Sequence, residues 1–284
     1  MTVVFATCSD QPFIAADDQP LADALRDLGH PAEPTPWTEL DPYVNVGAEP
    51  IVLRSTWDYY RVPTMFSSWL EAIADSGRTI VNPAAIALGN VDKVYLKGLE
   101  GAGIPVPKSR WIERPDPDTI ATILREERWE NAVLKPRIGA TAHGIVLVAA
   151  DRGVTEDELV PARASGALIQ EFIPEIRDRG EVSMVYAGGR FSHAVAKYAK
   201  AGDFRVQKDF GGLVEATTPS PALLAFGEAV MAQVPSSCVF ARVDLVEGAR
   251  GPLLLELELI EPELYFRIVP ESAERMARAI VDRL

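Results

Sequence analysis

SCVFARVDLVEGARGPLLLELELIEPEL, residues 237–264, reads as two β-strands joined by a tight turn at 247–252. Successive side chains of a strand point to opposite faces. Val239, Ala241, Val243 and Leu245 therefore share one face of the first strand, and Arg242 and Asp244 share the other. In the second strand Leu253, Leu255, Leu257 and Leu259 share a face, with Glu256 and Glu258 opposite. That register sets Asp244 across from Glu256, with Cβ atoms about 5 Å apart. Three carboxylates on one half-buried face repel each other, and hard divalent cations, Mg²⁺ or Mn²⁺, answer that arrangement. A solvent-facing acidic side of an ordinary hairpin is the plainer alternative, and a proton shared between carboxylates is another. Two features favour metal: strands seldom place Asp and Glu in so apolar a run, and Arg242 stands beside them as a counter-charge.

Upstream, Lys135 closes the strand-like run NAVLKP, and a glycine-bearing loop, RIGATAHG, follows before IVLV. A lysine at a strand end beside such a loop can bring a point charge to phosphate while loop N–H groups close over it. Lys93, in NVDKVYLKGLE, opens a helical pattern whose dipole adds partial positive charge. Taken singly, a surface residue is the plainer reading of either lysine. The first 88 residues alternate β-rich runs (TVVFAT, PIVLRS, TIVN) with helical ones (LADALRDLG, FSSWLEAIADSG), the rhythm of a parallel sheet with helices on its faces. Farther on, GEVSMVYAGGRFSHAVAKY reads as a hairpin turning at Gly188-Gly189, and the polar stretch KAGDFRVQKDFGG follows it. No Walker-type phosphate loop occurs. GLEGAG at 98–103 has the wrong glycine order for a dinucleotide turn and reads as helix punctuation.

The chain's 284 residues allow about two compact domains. A net charge of −13 with no basic block repels a phosphate backbone, which excludes nucleic acid as an expected partner while leaving room for one small anion in a local cationic site. No apolar run approaches the roughly 18 residues of a membrane helix, and MTVVFATCSD lacks the basic start of a secretion signal. With two widely separated cysteines, Cys8 and Cys238, in apolar runs, buried reduced thiols and a cytoplasmic location are expected.

The ordered series DK, GIPVP, VLKP, GA, IQEFI, GEVS, RVD and ELELIEP resembles the ATP-grasp superfamily, in its glutathione-synthetase-like branch. RSTWDYY, SHAVAKY, GDFRVQKDFGG and ELELIEPELYF are similar to the D-cycloserine ligase group, which cyclises O-ureido-D-serine. The resemblance implies an α/β fold: an N-terminal open parallel-sheet domain (1–88), then an ATP-grasp small subdomain (89–169) and a C-terminal catalytic subdomain (170–284). It implies Lys93 and Lys135 on ATP phosphates, with Gly139 and Ala140 in the closing loop. Gln170, Glu171, Phe172 and Ile173 would meet adenine, mainly through backbone groups, and Glu181 would meet the ribose. Asp244, Glu256 and Glu258 would hold two Mg²⁺ or Mn²⁺ ions, although many relatives have Asn where Glu258 stands. Arg205, Gly211 and Gly212 would contact the transferring phosphoryl group and the substrate carboxylate.

Lys197 shares a strand face with His193, and a phosphate or substrate contact is expected of it; a neutral, hydrogen-bonded histidine is the plainer reading of His193. Arg54, Ser55, Trp57 and Asp58 follow a strand of the parallel sheet, where ligands gather, and are substrate candidates; packing of Trp57 and Tyr59 at a domain interface is the alternative. The function so implied is an ADP-forming carboxylate–amine ligase working through an acyl phosphate on a small amino-acid-like substrate, as a cyclo-ligase of antibiotic biosynthesis or an intermolecular ligase. A kinase and a non-catalytic nucleotide-binding module are the remaining readings. Many relatives are dimers, which makes a homodimer the associated expectation.

Overall fold

In a computed structural model, residues 1–44, 49–200 and 212–284 are described. The chain opens with β1 (Val3–Thr7), α1 (Gln19–Asp27), β2 (Ala32–Pro36), β3 (Ile51–Ser55), α2 (Pro63–Ser76) and β4 (Ile80–Val81). Their sheet has the order β2-β1-β3-β4, and every pairing is parallel. β1 and β3 are buried along their whole length because helices cover both faces: Val3 and Phe5 pack towards α1, Val4 and Ala6 towards α2. α2 ends at Gly77, whose φ of 73° closes the helix in the left-handed conformation. The sequence reading passed over β2. Its run, AEPTP, has two prolines and no alternation, and an edge position tolerates both.

Two short helices, α3 (Ala84–Asn90) and α4 (Tyr95–Gly101), lead to a four-stranded antiparallel sheet. It is built from β5 (Ser109–Ile112), α5 (Pro117–Glu127), β6 (Asn131–Pro136), β7 (Val146–Ala149), α6 (Glu156–Leu159) and β8 (Ala167–Glu171). Its order is β5-β8-β6-β7, and α5 packs Ile120, Ile123 and Leu124 against it.

The remainder comprises α7 (Glu175–Arg179), β9 (Glu181–Ala187), β10 (Arg190–Tyr198), β11 (Leu213–Thr217), α8 (Pro221–Met231), β12 (Phe240–Gly248), β13 (Gly251–Glu258) and α9 (Ser272–Val281). The sheet order is β11-β10-β9-β12-β13, all antiparallel. β9 and β10 turn at Gly188 and Gly189, whose φ values of 57° and 76° suit a two-residue hairpin. Met184, Tyr186, Ala241 and Val243 face a core shared with α8, while Val185, Val195 and Phe240 face one shared with α1 and α9. Beyond that second core, on the same face, the sheet turns polar.

One expectation needs correcting. Leu255 does not continue the apolar face of β13. A bulge opposite Asp244 and Leu245 pairs Leu245 with Leu254, so Leu254 is fully buried and Leu255 turns into the cavity described below. The expected pairing of Asp244 with Glu256 lies just before the bulge and is present. Cys8 and Cys238 are buried and free.

Candidate active site

A cavity of about 490 Å³ lies between the two antiparallel sheets and the parallel domain. Its floor follows from register. Lys197 pairs across the strands with Glu181, Asp244 with Ser183 on one side and Glu256 on the other, and Arg242 with Glu258. With Leu, Val and Ala on the opposite face, the alternating pattern puts these charged residues together.

Each charge then finds a specific partner. Ser183 Oγ donates to Asp244 Oδ1 at 2.5 Å. Arg242 donates to both Asp244 oxygens, at 2.8–3.2 Å, and contacts Glu258. Lys197 contacts Glu181 and lies 3.6 Å from Asp244. Burial would raise the Asp244 carboxyl, but Arg242 and Lys197 hold it down at about 2. Burial also pulls the Lys197 ammonium down, and Asp244 and Glu181 more than reverse this. Burial, opposed by Arg242 and reinforced by Asp244 and Glu256, keeps Glu258 above the usual carboxylate range.

The opposite wall is built from β6, β8 and the loop after β6. Lys135 sits at the end of β6, 9% exposed. Among the described residues its ammonium has no ion pair or hydrogen bond, and burial lowers its pKa. Lys93 lies two residues ahead of α4, not within it. Its Nζ is 2.9 Å from Glu256 and donates to the Gly139 carbonyl at 3.1 Å, joining the sheet floor to the loop. Gly139 and Ala140 line the cavity; Ile138 and Ala140 also pack on the parallel domain, and the His143 ring stacks on Tyr60 with centroids 4.9 Å apart. Gln170, Glu171, Phe172 and Ile173 line the same wall. The amides of Glu171 and Phe172 already donate to the Lys108 and Asn131 carbonyls, so an adenine edge is left with the other backbone groups of that segment.

Of the candidates near the parallel domain, Trp57 reaches the cavity and Arg54, Ser55 and Asp58 do not. Arg54 is buried against Asp18, at 2.7 Å, and donates to the Pro262 carbonyl at 2.8 Å. Asp58 accepts from Trp37 Nε1 at 2.7 Å, and Ser55 is fully buried. His193 also stays outside. Its Nε2 meets the Leu264 carbonyl at 2.7 Å and Nδ1 meets Ser192 Oγ at 3.0 Å; burial lowers its pKa, which keeps it neutral. Gly212 is not among the lining residues, and Arg205 and Gly211 fall outside the described residues.

Sequence reasoning assigned no role to several lining residues: Gln11, Asn90, Tyr95, Glu261, Glu263 and Tyr265. Tyr95 Oη accepts from the Leu257 amide at 3.1 Å. Tyr265 holds a left-handed φ of 58°, with Arg242 and Arg267 over its ring at 5.6 and 5.7 Å. The Glu-Pro-Glu run at 261–263 was the one signal available in the sequence.

The donor set suits a hard cation, since Asp244, Glu256 and Glu258 offer only oxygen. Among the described residues no three His, Cys, Asp or Glu side chains converge as a closed site, because Lys93 and Arg242 hold the carboxylates apart. Mg²⁺ is ordinarily bound by one or two carboxylates together with substrate phosphates, so an open set of this kind fits it.

Residues 115–263, more than half of the chain, match the family described as prokaryotic glutathione synthetase, ATP-grasp domain, and residues 3–82 match the N-terminal domain of D-cycloserine synthetase DcsG. The cycloserine biosynthesis protein DcsG of Streptomyces lavendulae is 28% identical over 291 residues, 94% of each chain. A probable alpha-L-glutamate ligase of Sodalis glossinidius (strain morsitans) is 30% identical over 184 residues, 64% of this chain and 60% of that one. In fold, the chain is similar to the crystal structure of D-cycloserine synthetase DcsG, with a TM-score of 0.85 at 24% identity over 100% of this chain and 99% of the other. It is also similar to a D-alanine–D-alanine ligase from Bacillus anthracis complexed with ATP, with a TM-score of 0.67 at 14% identity over 99% and 95% of the two chains.

Proposed function

The chain belongs to the prokaryotic glutathione synthetase ATP-grasp family and is an ATP-dependent carbon–nitrogen ligase; from that premise we propose that it closes a ring within a small amino-acid-like substrate, as a cyclo-ligase of the D-cycloserine type. The observation that carries the proposal is the cavity: six charged residues on one sheet face meet Lys93 and Lys135 from the opposite wall. Likeness to the cycloserine biosynthesis protein along 94% of both chains supports the choice of substrate class.

Asp244, Glu256 and Glu258 would hold Mg²⁺ or Mn²⁺, with two ions as the proposed number, and bound metal would neutralise charge on the polyphosphate. Lys135, buried and unpaired, receives a phosphate. Lys93 links Glu256 to the Gly139 carbonyl, so seating of the loop and arrangement of the floor depend on each other. Arg242 fixes Asp244 and Glu258, and with Lys197 it places positive charge where the phosphoryl group passes. We assign residues 1–88 to the substrate side, 89–169 to the small ATP-grasp subdomain and 170–284 to the catalytic subdomain.

A substrate carboxylate oxygen attacks the γ-phosphorus, and the bond to the β,γ-bridging oxygen breaks to release ADP. A nitrogen of the same molecule then attacks the acyl carbon, loses its proton, and expels phosphate together with the former carboxylate oxygen. Closure over the cavity protects the acyl phosphate from water. Substrate labelled with ¹⁸O in its carboxylate should therefore deliver one label into the released phosphate. Phosphate free of label, or a stable phosphorylated product of the kind a kinase makes, would overturn the acyl-phosphate route.

A further inference from the structure

The cavity pairs its charges almost completely, and the remainder is informative. Lys93 is matched by Glu256, Lys197 by Glu181, Arg242 by Asp244 and Glu258, and Arg267 by Glu263 and Asp17. Among the described charged residues lining the cavity, Lys135, Glu171 and Glu261 are left without an ion pair, and of the two carboxylates Glu171 is half-exposed while Glu261, beside the parallel domain, is buried. Lys135 suits a phosphate. Arg242 and Lys93 act on Glu261 from a distance, but no cation of the described residues comes within ion-pair reach of it.

The main chain around Glu261 is held firmly. Trp57 Nε1 donates to the Glu261 carbonyl at 3.3 Å, Arg54 Nη2 to the Pro262 carbonyl at 2.8 Å, and Arg242 Nη1 to the Glu263 carbonyl at 3.1 Å. Three consecutive carbonyls thus each take a side-chain donor, and Asp18 holds Arg54 in turn. The Glu261 side chain is 93% buried, faces the cavity, and has no donor beyond its own backbone amide. A buried carboxylate on an immobilised backbone with no protein partner is a built receptor for a ligand cation.

We propose that Glu261 receives the ammonium group of the amino-acid substrate, so that the enzyme selects carboxylates carrying an α-amino group over those without one; Arg54 and Trp57 act as positioning residues through the carbonyls of residues 261 and 262. Burial pushes the Glu261 carboxyl up to about 7, more than Arg242 and Lys93 offset from a distance. The inference rests on the ligase reading.

The test compares wild type with Glu261→Gln on paired probes: amino acids, O-ureido-D-serine among them, and their des-amino counterparts, such as 3-(ureidooxy)propanoic acid. Phosphate release gives kcat and KM, and calorimetry gives the affinity for magnesium-bound AMPPNP. Wild type should prefer the amino-bearing probe. The variant should lose about 100-fold in kcat/KM for it, mainly through KM, as expected when one partner of a buried charge pair is removed. The des-amino probe and the nucleotide affinity should change little. Equal losses on both probes, an unchanged KM for the amino acid, or an altered Mg²⁺ requirement would overturn the assignment. Wild type that binds the nucleotide but releases no phosphate with any probe would overturn the ligase reading itself, and this proposal with it.

Discussion

Lys135 and Glu261 line one cavity, each buried without an ion-pair partner among the described residues, and a folded protein keeps such groups at a cost. Replacing Lys135 by Ala should weaken magnesium–AMPPNP binding about 10-fold or more in calorimetry, while the melting temperature of the free protein holds or rises because a desolvated ammonium has gone. Unchanged nucleotide affinity would count against the phosphate role. Which single residues reach the cavity was only partly legible in the sequence. A lysine at a strand end, Lys135, and carboxylates in strict alternation stood out because period and chemistry agreed. Arg54, Ser55, Asp58 and His193 were all candidates beside strands, yet Arg54 and His193 meet backbone carbonyls, Asp58 accepts from an indole, and Ser55 is buried away from the cavity. Sequence position near a site does not distinguish a group that touches ligand from one that holds the group that does.

At the scale of elements, register did most of the positioning, and its exceptions were invisible beforehand. The bulge opposite Asp244 and Leu245 turned Leu255 into the cavity, because an inserted residue leaves no mark in an unbroken leucine run. Asn82 was equally silent. Fully buried with a left-handed φ of 57°, it ties the end of β4 to β12 and to the chain after β13. Its Nδ2 donates to the Phe240 and Leu259 carbonyls, both at 2.8 Å, and its Oδ1 accepts from the amides of Val239 and Phe240 at 2.6 and 3.2 Å. These four bonds use the full capacity of an amide side chain. Asn82→Ala strands the backbone groups and should cost about 3 kcal/mol or more in urea denaturation. A loss below about 1 kcal/mol would mean that water replaces the amide there.

For the whole molecule, stability and function compete at the same carboxylate. The Glu261 carboxyl rises from its ordinary 4.5 to about 7 on folding. Between those values the folded state binds more proton than the unfolded one, so stability contributed by this group is full below pH 4.5, falls as pH rises to 7, and stays lost above it. Glu261→Gln should remove that fall, making the ligand-free variant more stable than wild type at pH 8 by about 3 kcal/mol, with little difference at pH 4.5. Equal melting temperatures at pH 8 would show the carboxylate to be well compensated. The parallel domain and the hairpins were readable from composition and alternation; the convergence of three sheets on one cavity was not, because it depends on buried links such as those of Asn82 and Arg54. Among the described residues, no helix is long and apolar enough to cross a membrane.

The central claim is most directly tested by following ADP and phosphate release with ATP, Mg²⁺ and a panel of amino acids that includes O-ureido-D-serine, with mass spectrometry of the products. The account predicts phosphate release that depends on one amino-bearing carboxylic acid, together with a cyclised product. Nucleotide binding without stimulation by any acid, or a phosphorylated product that persists, would contradict it.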